Sequence, residues 1–211
     1  MFKKVLKQFS TAIALVLLAL ASMLYFMKSS RPAETSFPNT PNTAHNHASS
    51  KDHEQCAANL AGKPLPNILL QNTEKTSFSA VDFSQKKPVI VIRYLGYGCS
   101  HCIEQLLALQ KLTDLLKSEQ IRVIAFSDDL PEQNQTVVQK YNFDPAVFTF
   151  AFDPAKSLAR SIGAVYREED GAMTELHVSL IVRAGRVDFA NFDTKPYMNV
   201  EDLVKRVITR L

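Results

Sequence analysis

Two of the three cysteines in this 211-residue chain stand close together, in Tyr94-Leu95-Gly96-Tyr97-Gly98-Cys99-Ser100-His101-Cys102. Residues three apart on a helix share one face, so Cys99 and Cys102 can meet and close a disulfide. The first turn of a helix offers unpaired N–H groups and the positive end of the peptide dipole. A thiolate at Cys99 is favoured there, and the thiolate is the nucleophile. Cys102, one turn further in, can then attack a mixed disulfide and release the partner. His101 places a group that can carry positive charge beside Cys99 and is expected to tune its acidity. Gly96 and Gly98 are expected to let the backbone turn tightly and leave Cys99 uncovered. The chemistry these residues suit is reversible dithiol–disulfide exchange.

Other readings of the pair are weaker. A structural zinc wants two further Cys or His at matching spacing, and the sequence holds no second such pair. A c-type haem site wants His directly after the second Cys, and position 103 is Ile. Two buried, inert cysteines would not need the placement seen here. An apolar, β-branched run, Pro88 to Ile92, precedes the pair, and a helix-like run, Ile103 to Leu109, follows it. A buried strand handing over to a helix is the context that makes the motif chemical. No cofactor and no resident metal is expected.

The elements that must hold the site follow from periodicity. Asn67 to Leu70 and Thr76 to Phe78 flank a polar turn and predict a hairpin, with a helical turn over Ala80 to Phe83. Val89 to Tyr94 predicts a central strand buried on both faces. Ile103, Leu106, Leu107, Leu109, Leu112, Leu115 and Leu116 predict one long helix, with Lys111, Asp114 and Lys117 on its wet side. Ile121 to Phe126 predicts a second buried strand. Pro131 opens a helix to about Tyr141. Val147 to Phe152 predicts a strand, and Asp153-Pro154 a capped helix from Ala155 to Ile162, ended by Gly163. Glu168 to Gly171 reads as a solvated loop. His177 to Val182 and Arg186 to Phe192 predict a hairpin, and Val200 to Leu211 the closing helix. Strands alternating with helices, then a hairpin and a helix, give an α/β fold: a three-layer α/β/α sandwich on a mixed sheet.

The N-terminus carries a different signal. Lys3, Lys4 and Lys7 precede an apolar stretch from Thr11 to Met27, which Lys28 closes. A basic start followed by an apolar run marks a secretion signal or a signal anchor. The run continues past the small residues Ala19-Leu20-Ala21, which favours an uncleaved anchor over residues 1–27. Residues 28–57 are rich in Ser, Thr, Asn, Pro and His and read as a flexible linker. They hold His45, His47, His53 and the odd cysteine, Cys56. Residues 58–211 are the expected globular domain. Residues 1–55 contain six of the 24 basic residues and three of the 21 acidic ones, leaving 18 of each beyond them. The globular part is therefore neutral and carries no electrostatic footprint for nucleic acid. The expected location is the bacterial inner membrane, single pass, with the globular part on the periplasmic side, or secretion if the leader is cut.

Residues 60–211 resemble the redoxin branch of the thioredoxin-like superfamily, which contains the alkyl hydroperoxide reductase/thiol-specific antioxidant proteins. The matching pieces are Gly62 to Leu70, the strand leading into Gly98-Cys99-Ser100-His101-Cys102, Phe152-Asp153-Pro154, and Leu180 to Val187. The resemblance implies a thioredoxin-like fold and a thiol–disulfide oxidoreductase working on a protein dithiol or disulfide. The alternative it implies is a peroxiredoxin-like thiol peroxidase acting on a small peroxide. A third reading, outside enzymes, is a copper carrier using the linker histidines with Cys99 and Cys102. Some positions depart from the family pattern. Leu176, His177 and Val178 stand where thioredoxins place a cis-proline. The Pro-x-x-x-Thr/Ser-x-x-Cys pattern of peroxiredoxins would need Pro and Thr at Leu95 and Cys99, or at Ile92 and Gly96. Arg93 lies in a run otherwise built to be buried. Either it points at the site and steadies the Cys99 thiolate, or it reaches an acidic side chain such as Glu104 or solvent. His177 is expected either on the loop facing Cys99, as a proton carrier or thiolate partner, or as an edge-strand histidine making one backbone bond.

Overall fold

The structure, a computed structural model, describes residues 57, 59–168, 171–192 and 200–209. The expected leader, the linker as far as Cys56 with its three histidines, and the last residues of the closing helix lie outside the described residues. Among the described residues no helix is long and apolar enough to cross a membrane.

The first hairpin joins β1 (Leu69–Asn72) to β2 (Ser77–Ser79). The Asn72 side chain organises its turn by accepting the Glu74 and Thr76 N–H groups at 3.1 and 2.8 Å. Ser79 then caps the one-turn helix α1 (Ala80–Phe83). Next, β3 (Val89–Arg93) is buried at every position. Successive strand side chains face opposite ways, so Ile90 and Ile92 enter one apolar cluster and Val89 and Val91 the other.

The single helix predicted after the cysteines is two helices, α2 (Ser100–Gln110) and α3 (Thr113–Ser118). The Thr113 hydroxyl donates to the Gln110 carbonyl at 2.6 Å, and the Leu112 N–H turns back to Leu109. A threonine bonding locally competes with the helical ladder and breaks it here. The next three elements stand close to expectation: β4 (Arg122–Ser127), α4 (Pro131–Tyr141) and β5 (Phe148–Phe152). A proline opens α4, and Asn142, with φ of 53°, closes it in the left-handed cap such helices favour.

The helix expected from Ala155 begins later. Ala155 and Lys156 both have φ of 55° within a 3₁₀ turn over Pro154–Lys156, and only then does α5 (Ser157–Ser161) start. Asp153 does cap it, its two carboxylate oxygens accepting the Leu158 and Ala159 N–H groups at 3.0 and 2.9 Å. A small hairpin that was not expected pairs β6 (Val165–Arg167) with β7 (Met173–Glu175); Glu169 and Asp170 of the expected solvated loop lie outside the described residues. The chain ends in β8 (Val178–Arg183), β9 (Arg186–Phe192) and α6 (Val200–Ile208).

Seven strands form one mixed sheet in the order β2-β1-β5-β4-β3-β8-β9. β3, β4 and β5 run parallel, while β8 lies antiparallel to β3. Leu106, Leu109, Val137, Leu203 and Val207 cover one face from α2, α4 and α6. Ala80, Leu158 and Ala159 cover the other from α1 and α5. This is the thioredoxin-like α/β arrangement that the resemblance implies. Two register pairs position the site: Arg93 lies opposite Val178 on one side and Phe126 on the other. The end of β3, the start of β8 and the loop after β4 therefore meet at one edge. In α/β sheets that edge, outside the carboxyl ends of the parallel strands, is where chemistry collects.

Candidate active site

The turn from β3 into α2 is fastened to the loop after β4. Tyr94 continues the ladder through its N–H to the Phe126 carbonyl, 3.0 Å, and its buried hydroxyl pairs with Asn134. Burial pushes the Tyr94 phenol well above its ordinary range. Gly96 adopts φ of +92°, and a Cβ there would come within 2.9 Å of Asp129 Oδ1. Glycine is thus required at 96 by conformation, and a Cβ there would also push the Asp129 carboxylate aside. Gly98 differs from expectation, because its φ is not in the left-handed region and a Cβ would meet nothing within 4 Å. Asp129 accepts the Tyr97 N–H at 2.6 Å. Burial raises its carboxyl above the ordinary value, and the Tyr97 hydrogen bond opposes that rise. Gly96→Ala is expected to cost about 2 kcal/mol of stability, the scale of a left-handed residue carrying a Cβ. Urea denaturation measures it, and an unchanged midpoint would show that the turn is not held this tightly.

Cys99 is the N-cap of α2, with extended backbone, and its sulfur accepts the Cys102 N–H at 3.4 Å. That position normally belongs to Ser, Thr, Asp or Asn, whose oxygen satisfies an orphan N–H. A thiolate fills the same role with a full charge. The Cys102 sulfur accepts the Leu95 N–H at 3.2 Å. Each sulfur is therefore supported by one backbone donor, and a negative charge on either is stabilised. Cys99 and Cys102 are joined as a disulfide across Cα atoms 5.3 Å apart, with α2 helical from Ser100 onward. Cys102 is buried, whereas Cys99 is only half-buried and is the sulfur a partner can reach.

His177 closes the site from the residue just before β8. Its Nε2 lies 3.6 Å from the Cys99 sulfur and 3.5 Å from the Cys102 sulfur. The residue is buried, at 7 % exposure. The topology explains the meeting: β8 is antiparallel to β3, so the residue just before its first paired position arrives where β3 ends. A buried polar pair underlies the contact. Gln105 on α2 donates to Ser179 on β8 at 2.8 Å, tying together the elements that carry Cys102 and His177.

Arg93 is 1 % exposed, and its hydrogen bonds run to the segment that presents His177. It donates to the Leu176 carbonyl at 2.8 Å and to Glu175 at 2.6 Å. Arg93 thus reaches an acidic side chain, as one of its two expected readings has it, but that side chain is Glu175 and not Glu104. Glu175 also pairs with Lys156, which reaches Asp128 at 3.1 Å. Burial pushes the Glu175 carboxyl up, but the hydrogen bonds from Lys156 and Arg93 outweigh it and hold the group below its ordinary value. Burial likewise opposes the Lys156 charge, and its two carboxylate partners more than offset that. His101 sits on the exposed side of α2, its Nδ1 3.5 Å from Glu104. The structure thus brings Cys99, Cys102 and His177 together, places Arg93 behind the backbone that carries His177, and turns His101 toward Glu104. Glu175, Gln105 and Asp129 were not singled out in the sequence.

The AhpC/TSA family model matches residues 61–189. Among solved structures the chain is similar to a cysteine mutant of PrxQ from Xylella fastidiosa, at 13% identity and TM-score 0.62, over 71% of this chain and 96% of that one. It is similar to a peroxiredoxin Q mutant from Xanthomonas campestris, at 13% identity and TM-score 0.64, over 72% and 99%. It is also similar to reduced Prx3 in complex with hydrogen peroxide from Vibrio vulnificus, at 18% identity and TM-score 0.55, over 64% and 87%. At these identities the likeness is one of fold. No curated protein matches the chain.

Proposed function

The chain belongs to the AhpC/TSA family of thiol-dependent antioxidant oxidoreductases within the thioredoxin-like superfamily, and from that premise we propose that it exchanges disulfides with a protein partner through Cys99 and Cys102. The observation that carries this reading is the Cys99–Cys102 pair itself, closed across one turn of an intact helix with one imidazole nitrogen beside both sulfurs. The Cys99 thiolate attacks a partner disulfide, forms a mixed disulfide and expels one partner thiolate, which takes up a proton. Cys102, deprotonated by His177, then attacks the Cys99 sulfur, releases the second partner thiol and leaves the Cys99–Cys102 bond. Two electrons pass to the partner. The reverse sequence oxidises a partner dithiol. The basic, apolar leader and the polar linker support a tethered enzyme on the periplasmic side of a bacterial inner membrane.

A second reading is peroxide reduction, which the family and the likeness to peroxiredoxin Q structures favour. Here the Cys99 thiolate would attack the peroxide O–O bond, become a sulfenic acid and release an alcohol or water. Cys102 would then displace water and form the same disulfide. Both routes end in the bond observed, so rates separate them. The reduced protein is expected to reduce insulin disulfides catalytically and to consume hydrogen peroxide no faster than free cysteine. Rapid peroxide consumption with no disulfide reduction would reverse the order of the two readings.

A further inference from the structure

Beyond electron transfer, we infer that the reduced protein binds one Cu(I) ion at Cys99, Cys102 and His177. These three side chains offer two sulfurs and one ring nitrogen within 4.8 Å of one another. The decisive geometry is at the nitrogen. Metal–sulfur and metal–nitrogen bonds of about 2.3 and 2.0 Å, opened at an angle of about 110–120°, separate sulfur from nitrogen by about 3.5–3.7 Å. His177 Nε2 already stands 3.6 and 3.5 Å from the two sulfurs. Once the disulfide is reduced, the sulfurs have only to part for an ion to enter, with no movement of the imidazole.

The donor set selects the ion. Thiolate sulfur is soft and favours Cu(I), whereas structural zinc takes four ligands in a tetrahedron. Among the described residues the cluster contains three donors and no fourth from Cys, His, Asp or Glu. Three soft or borderline donors satisfy a trigonal Cu(I). Both thiols give up their protons on binding, so one Cu(I) enters, two protons leave, and the complex carries one negative charge. The Leu95 and Cys102 N–H groups, each aimed at a sulfur, and the start of α2 offset that charge. Most of the site is out of water, with Cys102 1 % and His177 7 % exposed. Forming the disulfide with an oxidising partner consumes both sulfur donors, so the metal site exists only in the reduced protein. The proposed disulfide exchange and Cu(I) binding therefore exclude each other at any one moment.

The test titrates the full-length protein, reduced by a phosphine and with its free thiols counted, with Cu(I) supplied as a chromophoric chelator complex. One tight Cu(I) per chain is expected, with three-coordinate mixed nitrogen and sulfur ligation by X-ray absorption. His177→Ala is expected to weaken binding by more than the roughly tenfold seen when a metal site loses a supporting contact. His177→Met, which returns a soft donor, is expected to recover most of the loss. Cys99→Ser is expected to abolish the tight site while the linker histidines and Cys56 remain. Two-coordinate copper in the unaltered protein overturns the proposal, whether or not the alanine variant folds. So does equal affinity in a folded His177→Ala variant, or retention of Zn(II) in preference to Cu(I). A pair that resists reduction ends the disulfide-exchange reading as well, whereas a reduced pair that ignores Cu(I) ends this proposal alone.

Discussion

Cys99→Ser is expected to lower disulfide reduction by on the order of 10³-fold or more, the scale seen when a catalytic nucleophile is removed. Cys102→Ser is expected to stall the reaction at a different point. Its Cys99 still attacks, because the N-cap position and the start of α2 favour the thiolate whatever stands at 102. Without the resolving sulfur, the mixed disulfide persists. Non-reducing electrophoresis after mixing with a disulfide partner should show a covalent adduct in Cys102→Ser and none in Cys99→Ser. The assignment follows from exposure: Cys99 is half-buried and Cys102 fully buried, so a bulky partner meets Cys99 first. An adduct that forms on Cys102 and not on Cys99 would exchange the two roles. The same pair of variants bears on peroxide, since a sulfenic acid trapped on Cys99 in Cys102→Ser requires that Cys99 attack oxygen.

What the sequence made legible was local chemistry and local periodicity. The β-branched, nearly all apolar run of β3, the proline-opened α4 and the pair Cys99 and Cys102 at a strand-to-helix turn all announce themselves within a few residues. What was not legible depended on partners far away in the chain. Arg93 stands out as a charge in a buried run, but its partner is 82 residues distant, on a strand three residues long. So short a strand shows no alternation, and the sequence predicts no element over Met173 to Glu175. The break between α2 and α3 depends on one threonine hydroxyl taking a carbonyl, which the heptad-like run of leucines conceals. His177 was legible as a loop residue near Cys99. Its contact with both sulfurs follows only from the antiparallel register of β8 on β3, which side-chain types alone do not encode. Sequence thus located the cysteine pair, whereas the shell that aims an imidazole at it is a property of sheet topology.

That shell yields the second large effect. Arg93→Met is expected to destabilise the protein by about 3 kcal/mol at neutral pH, the lower end of the cost of breaking a buried ion pair. The lower end applies because Glu175 keeps Lys156 as a partner. The remaining loss is the Leu176 carbonyl, which Arg93 hydrogen-bonds in the interior. The effect should depend on pH with a definite sign. The Glu175 carboxyl is held below its ordinary value, so its contribution is complete above the unfolded value of about 4.3 and is lost as acid carries the pH down through the folded value. The variant has less of that contribution to lose. Urea midpoints of the two proteins should therefore lie far apart at pH 7 and draw together toward pH 3. An equal gap at both would mean that the charge pairing contributes nothing. Arg93 should also act on the chemistry without touching a sulfur, because its side chain fastens Leu176 and Glu175, the two residues that lead into His177. A change in the Cys99–Cys102 redox potential in folded Arg93→Met, partly restored in Arg93→Lys, would mark it as a positioning residue. Lysine keeps the charge but lacks the fork that serves Leu176 and Glu175 together, so its recovery should be incomplete. An unchanged potential in the destabilised variant would confine Arg93 to the fold.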